Sequence, residues 1–177
     1  MQRIYVMVGI PSSGKTTWIQ RSLPTSVARI RLDRLRRETY GYHPIQLEPA
    51  KEKKIWRQAD LLLSKTVRAG HDVVVDSMAL TKEWRQRILK VADAASKAPL
   101  QKVAIFLDTP VSVALSRNQN REKQLPGDAI REMKGHVRPP SKGEGFSKIV
   151  TVRPKPNSEP SKLFAGKPRE TAPVGAA

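Results

Sequence analysis

The 177-residue sequence contains no cysteine, which excludes disulfides, thiolate nucleophiles and every zinc site that needs a Cys ligand. It has no apolar run long enough to span a bilayer and no secretory leader, because Met1-Gln-Arg-Ile-Tyr-Val-Met-Val enters a strand pattern at once. A cytoplasmic location without membrane attachment is the expectation. Histidine is scarce, and His43, His71 and His136 show no metal-ligand spacing, so they read as structural or surface residues. No internal repeat is visible. Acidic residues are the other shortage: 16 Asp and Glu stand against 33 Lys and Arg, a formal charge of +17. That excess is more than solubility requires and makes a polyanionic partner such as nucleic acid plausible, with a solvated basic surface as the alternative.

What the chain does contain is one domain's worth of apolar sequence, 38% of all residues. Strand patterns at Ile4–Val8, Ala28–Leu32, Asp72–Val75, Lys102–Leu107 and Lys148–Val152 alternate with helical patterns at Lys15–Leu23, Glu48–Ala69, Thr81–Ala98, a segment carrying Val113, Ala114 and Leu115, and Gly127–His136. Within the long helix Ile55, Ala59, Leu62, Leu63, Thr66 and Val67 fall on one broad face, and Gly70 is its natural stop. Such alternation predicts an α/β fold, a parallel sheet covered by helices on both faces. From Arg153 the chain turns Pro-rich and poor in large apolar residues, the composition of a disordered tail. Residues 153–177 hold five Lys/Arg and two Asp/Glu and so contribute +3 of the charge, leaving +14 on a folded unit of residues 1–152.

Between the first strand and the first helix stands Gly9-Ile-Pro-Ser-Ser-Gly14-Lys15-Thr16, a phosphate-binding loop in its expected setting. Gly9 and Gly14 permit the tight turn that aims backbone N–H groups at phosphate oxygens, with the positive end of the next helix behind them. Ser12, Ser13 and Thr17 complete the nucleotide contacts, Lys15 bridges the β- and γ-phosphates, and the Thr16 hydroxyl is a Mg²⁺ ligand. The sequence therefore predicts a site for ATP and Mg²⁺. Asp33, just past the second strand, can accept a proton from an attacking hydroxyl, and Arg36, three residues on, can hold an anionic group of the substrate. A helix cap, or a pair with Arg36 or Arg37, is the alternative for Asp33. Asp76 ends the third strand where ligands meet parallel sheets and can complete the metal shell, with Ser77 beside it; a cap is again the alternative. Asp108, followed by Thr109-Pro110, reads as a cap. Arg117, Arg121 and Arg131 flank a polar connection, residues 119–124, that resembles a lid over transferring phosphates, or else a solvated helix face. Trp18, Trp56 and Trp84 read as packing residues, and Tyr40 and Tyr42 as better stacking candidates.

The set Gly9–Thr16, Asp33 with Arg36, Asp76, and Arg117-Asn118-x-x-Arg121 resembles the 5′-hydroxyl polynucleotide kinase module of bacteriophages, within the wider phosphate-loop kinases, over about the first 150 residues. The resemblance implies a sheet of strand order 2-3-1-4-5. It implies that Lys15 and Thr16 hold ATP and Mg²⁺, that Asp33 is the general base on a 5′-hydroxyl, and that Arg36 grips the neighbouring substrate phosphate. Arg117 and Arg121 would contact the ATP phosphates. Where the phage module has Asp-Thr-Asn after the third strand this chain has Asp76-Ser77-Met78, and the Asp-x-Asp-Gly-Thr motif of an accompanying 3′-phosphatase is absent, so phosphatase activity is not expected.

Three readings follow. The first is an ATP-dependent kinase acting on the 5′ end of DNA or RNA. In the second the acceptor is a small molecule such as a sugar, nucleoside or antibiotic. The third is a nucleotide-dependent nucleic-acid-binding protein without catalysis, in which Asp33 would be idle; no Asn-Lys-x-Asp guanine-reading motif occurs, which disfavours a GTPase. Oligomeric state has no sequence signal.

Overall fold

Short apolar runs rich in Val and Ile form strands because branched side chains pack well on a pleated, buried surface. In the computed structural model, which describes residues 1–41, 48–121 and 124–154, these runs are β1 (Arg3–Val8), β2 (Ala28–Arg31), β3 (Val73–Asp76), β4 (Gln101–Leu107) and β5 (Lys148–Val152). All pair in parallel, in the order β2-β3-β1-β4-β5. The α/β fold and the strand order are those expected from the sequence. The helices are α1 (Lys15–Ser22), α2 (Leu32–Tyr40), α3 (Pro49–Arg68), α4 (Lys82–Ala95), α5 (Val111–Gln119) and α6 (Gly127–Gly135), with a 3₁₀ turn at Lys142–Glu144. Among the described residues no helix is long and apolar enough to cross a membrane.

Side-chain alternation along the strands divides the core. Ile4, Val6, Val8, Val73 and Val75 cluster with Trp56, Ala59 and Leu63 of α3 and Ile88 and Ala92 of α4. Met7, Val74 and Ile105 cluster with Ile19 of α1, against which Trp18 also packs. A smaller group, Ile10, Leu80, Ala114 and Ile130, ties α5 and α6 to the end of β1.

Several local expectations need correction. The buried face of α3 is narrower than the sequence pattern, because Leu62 points outward at 43% exposure while Trp56 turns in. Thr81 occupies the N-cap position of α4 but its side chain makes no capping bond. That helix stops at Ala95, where the Ser96 hydroxyl donates to the Ala98 carbonyl at 2.5 Å and the chain becomes extended. Asp108 caps nothing. The N-cap of α5 is Pro110, and the Asp108 carboxylate instead accepts from Lys134 Nζ at 3.3 Å and Arg153 Nε at 3.2 Å. Tyr42, His43 and residues 155–177 of the expected tail lie outside the described residues, as do residues 122 and 123 of the expected lid.

One buried ion pair had no sequence signal. Arg85, fully buried on α4, donates through Nε and Nη2 to Glu144 at 2.6 and 2.8 Å, and through Nη1 to the carbonyls of Ala79, Leu80 and Arg138. Burial alone would raise the Glu144 pKa, but the bonds from Arg85 and Ser141 outweigh it and hold the carboxyl below its usual 4.5. Removing one partner strands the other, so Arg85→Met should cost about 3–5 kcal/mol in urea unfolding at pH 7. The contribution of Glu144 is fully present above pH 4.5 and is lost as pH falls through its lower folded value; Glu144→Gln should therefore flatten the acid limb of the stability profile. A variant as stable as the parent would mean that this pair is replaceable by water.

Candidate functional site

Parallel strands place their carboxyl ends on one edge, and the register of β1 on β3 and of β3 on β2 brings Val8, Asp76 and Arg31 to that edge together. β1 runs straight into the phosphate-binding loop. Glycine is required at Gly9, since a Cβ there would lie 2.8 Å from Ser13 Oγ and 3.1 Å from the Leu107 carbonyl. Gly14 closes the loop at φ 98° and is the N-cap residue of α1. Thr109 Oγ1 donates to the Ser13 carbonyl at 3.0 Å, and the Gly9 N–H donates to the Met78 carbonyl at 3.0 Å, so the loop is braced from β4 and β3 alike. Ser13 is buried within it. Thr16 and Thr17 lie on the first turn of α1, Thr16 exposed and Thr17 half-buried.

Lys15 curls back over its own loop, donating from Nζ to the carbonyls of Gly9 and Ile10, each at 2.8 Å. Burial pushes its pKa down from 10.5 to about 8; Asp76 and Asp33 oppose the shift and Arg121 adds to it. Those three charges are therefore close enough to act on the ammonium. Arg117 Nη1 donates to the Ser13 carbonyl at 3.2 Å and Arg121 Nη1 reaches Ser12 Oγ at 3.5 Å, so both arginines lie against the loop. Arg131 does not join them; it pairs with Asp128 at 2.7 Å on the exposed side of α6. The asparagine between Arg117 and Arg121 has its own task. Asn118 is buried, donates to the Leu125 carbonyl at 2.8 Å and accepts the Leu125 N–H at 3.1 Å, closing the connection between α5 and α6.

Beside the loop opens a cavity of about 430 Å³ lined by Lys15, Asp33, Arg36, Glu52, Asp76 and Arg121 among others. That is within the range of small-ligand clefts, roughly 300–1,000 Å³. Asp33, on the first turn of α2, accepts from Arg36 Nη1 at 2.9 Å. The same guanidinium donates from Nε and Nη2 to the Glu52 carboxylate at 3.1 and 2.5 Å. Burial works against the Arg36 charge, but Glu52 and then Asp33 outweigh it and raise its pKa. Arg36 is thus anchored between two carboxylates, and Glu52 is a wall residue that the sequence pattern did not single out.

Asp76 has an equally specific environment. Its Oδ2 accepts from Arg29 Nη2 at 2.6 Å, and the same nitrogen lies 3.3 Å from Thr16 Oγ1. One cationic nitrogen therefore sits within reach of both oxygens proposed as metal ligands. Ser77 Oγ, next along the chain, is buried and has no hydrogen-bond partner among the described residues. Two hard oxygen donors, Thr16 Oγ1 and Asp76 Oδ2, within reach of one cation position are of the chemistry that Mg²⁺ takes. Arg29 was missed because nothing in Ala28-Arg-Ile-Arg31 reveals which strand it pairs with.

The far wall is apolar and aromatic. Met78, Leu80, Trp84, Leu125 and Met133 line it, with Trp56 and His136. Trp56 and Trp84 are stacked, centroids 4.5 Å apart at 16°. Trp18 and Trp56 pack as expected, but Trp84 keeps 38% of its surface exposed, and His136 lines the cavity rather than only the surface. Tyr40, on the last turn of α2, has the Lys51 ammonium 6.0 Å from its ring centroid.

A family model, AAA_33, described as an AAA domain, matches residues 4–140. No curated protein sequence matches the chain. Among solved structures, a chain of the Pnkp1/Rnl/Hen1 RNA repair complex superposes with a TM-score of 0.63 at 17% identity, covering 76% of this chain but only 43% of that one. The chain therefore spans less than half of that protein's length. A sugar kinase from Janibacter sp. HTCC2649 gives 0.64 at 18% identity over 86% of each chain. The APS kinase CysC of Mycobacterium tuberculosis, solved in complex with AMPPNP and APS, gives 0.56 at 18% identity over 89% of this chain and 90% of that one. At these identities the likeness is one of fold, a kinase-like phosphate-loop domain.

The Lys15 environment yields a pH test. A lysine whose folded pKa is below its unfolded value penalises folding fully at pH 7, and the penalty fades as pH rises from about 8 towards 10.5. Its ceiling is about 3 kcal/mol. Relative to Lys15→Met, the parent should gain stability as pH rises from 7 to 10 in nucleotide-free chemical unfolding. Parallel profiles would place the ammonium in water rather than in the loop.

Proposed function

This chain belongs to the AAA_33 family, and on that premise we propose that it is an ATP-dependent kinase transferring the γ-phosphate to a hydroxyl, the 5′-hydroxyl of a DNA or RNA strand. The observation that carries this reading is the shared cavity. Lys15 and Asp76 on the donor side and Asp33 on the acceptor side line one space, so a triphosphate on the loop and a hydroxyl at Asp33 would face each other. The +17 charge and the structural likeness to a chain of an RNA repair complex favour a polyanionic acceptor. The bacteriophage-type 5′-hydroxyl polynucleotide kinase module is the family member whose site this one is proposed to match.

In the proposed reaction Asp33 accepts the proton of the acceptor hydroxyl, the new O–P bond forms at the γ-phosphorus, and the bond to the β–γ bridging oxygen breaks to release ADP. Arg36 fixes the Asp33 carboxylate and is itself fixed by Glu52. Lys15 exchanges the carbonyls of Gly9 and Ile10 for phosphate oxygens, whose charge favours its protonated form. Arg117 and Arg121, already against the loop, neutralise charge that spreads over the transferring group. Thr16 and Asp76 would hold Mg²⁺, which when bound supplies charge neutralisation at the β- and γ-phosphates. The Arg29 guanidinium has to yield its contacts to Thr16 and Asp76 for that.

A small-molecule acceptor is the second reading. It is favoured by the clamping of Arg36 between Asp33 and Glu52, which leaves it little freedom to grip a substrate phosphate, and by the likeness to a sugar kinase over most of both chains. Salt separates the two. A nucleic-acid acceptor should raise KM steeply with ionic strength through counterion release, and a neutral small acceptor should not. We assign the catalytic unit to residues 1–152 and an accessory electrostatic role to the basic segment 153–177; deletion of that segment should raise the oligonucleotide KM.

Asp33→Ala should lower transfer to a 5′-hydroxyl oligonucleotide by about 10²–10⁴-fold while ATP binding persists; full turnover in that variant would remove Asp33 from the mechanism. Binding of 5′-hydroxyl and 5′-phosphorylated strands alike without transfer would favour a non-catalytic binder. Arg29→Ala, by removing a competing cation from Asp76, should lower the magnesium concentration needed for half-maximal transfer. An unchanged or higher requirement would show that Arg29 and the metal do not share the position.

A further inference from the structure

We propose that the stacked pair Trp84–Trp56 is a platform for the planar base of the acceptor's terminal nucleoside, an inference that rests on the kinase reading above and names what holds the acceptor. An indole is ordinarily buried against aliphatic neighbours, yet Trp84, on the first turn of α4, keeps 38% of its surface exposed and lines the cavity that holds Asp33. It is not loose. Trp56, 6% exposed, lies parallel to it at 4.5 Å, and the Arg87 guanidinium sits 5.4 Å from the Trp56 ring and is itself tied to Asp60 at 2.6 Å. A backed, fixed aromatic plate with exposed surface loses little freedom when a second planar group meets it.

The plate is also in register with the reacting end of the cavity. Glu52 and Trp56 are four residues apart on α3 and so share one helix face. Glu52 holds Arg36, and Arg36 holds Asp33. A single helical turn thus links the group that positions the base catalyst to the group that backs the aromatic plate. The neighbouring wall, Met78, Leu80, Leu125 and Met133, offers apolar surface. A polyhydroxylated sugar buried against that wall would leave hydroxyls without partners, which is costly, whereas a nucleobase presents a flat face of the kind aromatic platforms bind without regard to sequence.

The test compares two 5′-hydroxyl oligonucleotides that differ only in whether the first residue carries a base or is abasic, with ATP and Mg²⁺. The parent protein should favour the base-bearing acceptor by about tenfold or more in kcat/KM. Trp84→Ala should abolish that preference by slowing transfer to the base-bearing strand alone, with the KM for ATP unchanged, and Trp84→Phe should keep most of it. Trp84→Leu, which leaves an apolar side chain against Trp56 but no aromatic face, should behave as Trp84→Ala does and guards against a folding defect. Equal use of the two strands by the parent protein would overturn the platform while leaving the kinase assignment intact. Transfer to neither strand would overturn the acceptor assignment, and the platform with it.

Discussion

The segment from Asp76 to Thr81 is the constraint on which the site depends, and one guanidinium holds it. This stretch leaves the sheet at the carboxyl end of β3 and forms a wall of the cavity through Asp76, Ser77, Met78, Ala79, Leu80 and Thr81. It has no ladder partners of its own after Asp76. Arg85 takes the Ala79 and Leu80 carbonyls, the Gly9 N–H takes that of Met78, and the Arg138 N–H shares that of Leu80. Ala79 is held at φ 41°, a left-handed conformation that costs an alanine on the order of 1 kcal/mol, and it persists because its carbonyl is fixed from inside the core. Since Glu144 neutralises Arg85 and the Arg138 carbonyl shares it, the chain after α6 is locked to the same wall. The acceptor wall and the return of the chain towards β5 are therefore tied to one buried charge, and the donor loop is tied to that wall by the bond from the Gly9 N–H to the Met78 carbonyl.

Four of the cations near the phosphate loop are bonded by the protein itself. Lys15 bonds two loop carbonyls, Arg29 spans Asp76 and Thr16, Arg36 lies between Asp33 and Glu52, and Arg117 bonds the Ser13 carbonyl. Such pre-pairing lowers the cost of keeping charge in a half-buried cleft. It also sets what a ligand must supply: oxygens that replace those of the loop carbonyls and of Asp76. A triphosphate with its metal offers that exchange, which is why the arrangement suits phosphoryl transfer better than a site for a neutral ligand.

The parallel α/β fold was legible in the sequence, because βαβ units announce themselves by buried apolar runs alternating with helical periods and the glycine loop fixes where the first crossover begins; the order of the strands was implied by the family resemblance and not by the pattern itself. Gly9, Gly14 and Lys15 were readable for the same reason: their geometry is local. What escaped was non-local. Arg29, Arg31 and Asp76 share one face of the sheet because β2 pairs with β3 so that Arg31 stands opposite Asp76, and no pattern within Ala28–Arg31 encodes that register. The pairs Arg36–Glu52 and Arg85–Glu144 join positions 16 and 59 residues apart, and a charged residue on a helix looks solvated until its partner is placed. Trp84 does pack, on Trp56, but its partial exposure was not legible. Its helical spacing marks a packing residue, and only the position of α4 beside the cavity leaves it partly uncovered.

Charge is distributed unevenly in a way that bears on the acceptor. The chain as a whole carries +17, yet among the described residues the ionised ones lining the cavity are Lys15, Arg36 and Arg121 against Asp33, Glu52 and Asp76, three of each sign. Under the proposed function, long-range attraction for a polyanion resides on the exterior, where it would steer and hold a strand, while the described cavity lining is formally balanced and sets Asp33 and Glu52 around Arg36 at the acceptor end. A terminus that already bears a phosphate would bring a second anion against Asp33 and Glu52. An uncharged hydroxyl terminus would not, and it would offer Asp33 a proton to accept. Under the proposed function the basic surface selects the class of molecule and the acidic end of the cavity selects its unphosphorylated end, so the two kinds of charge act in sequence rather than in opposition.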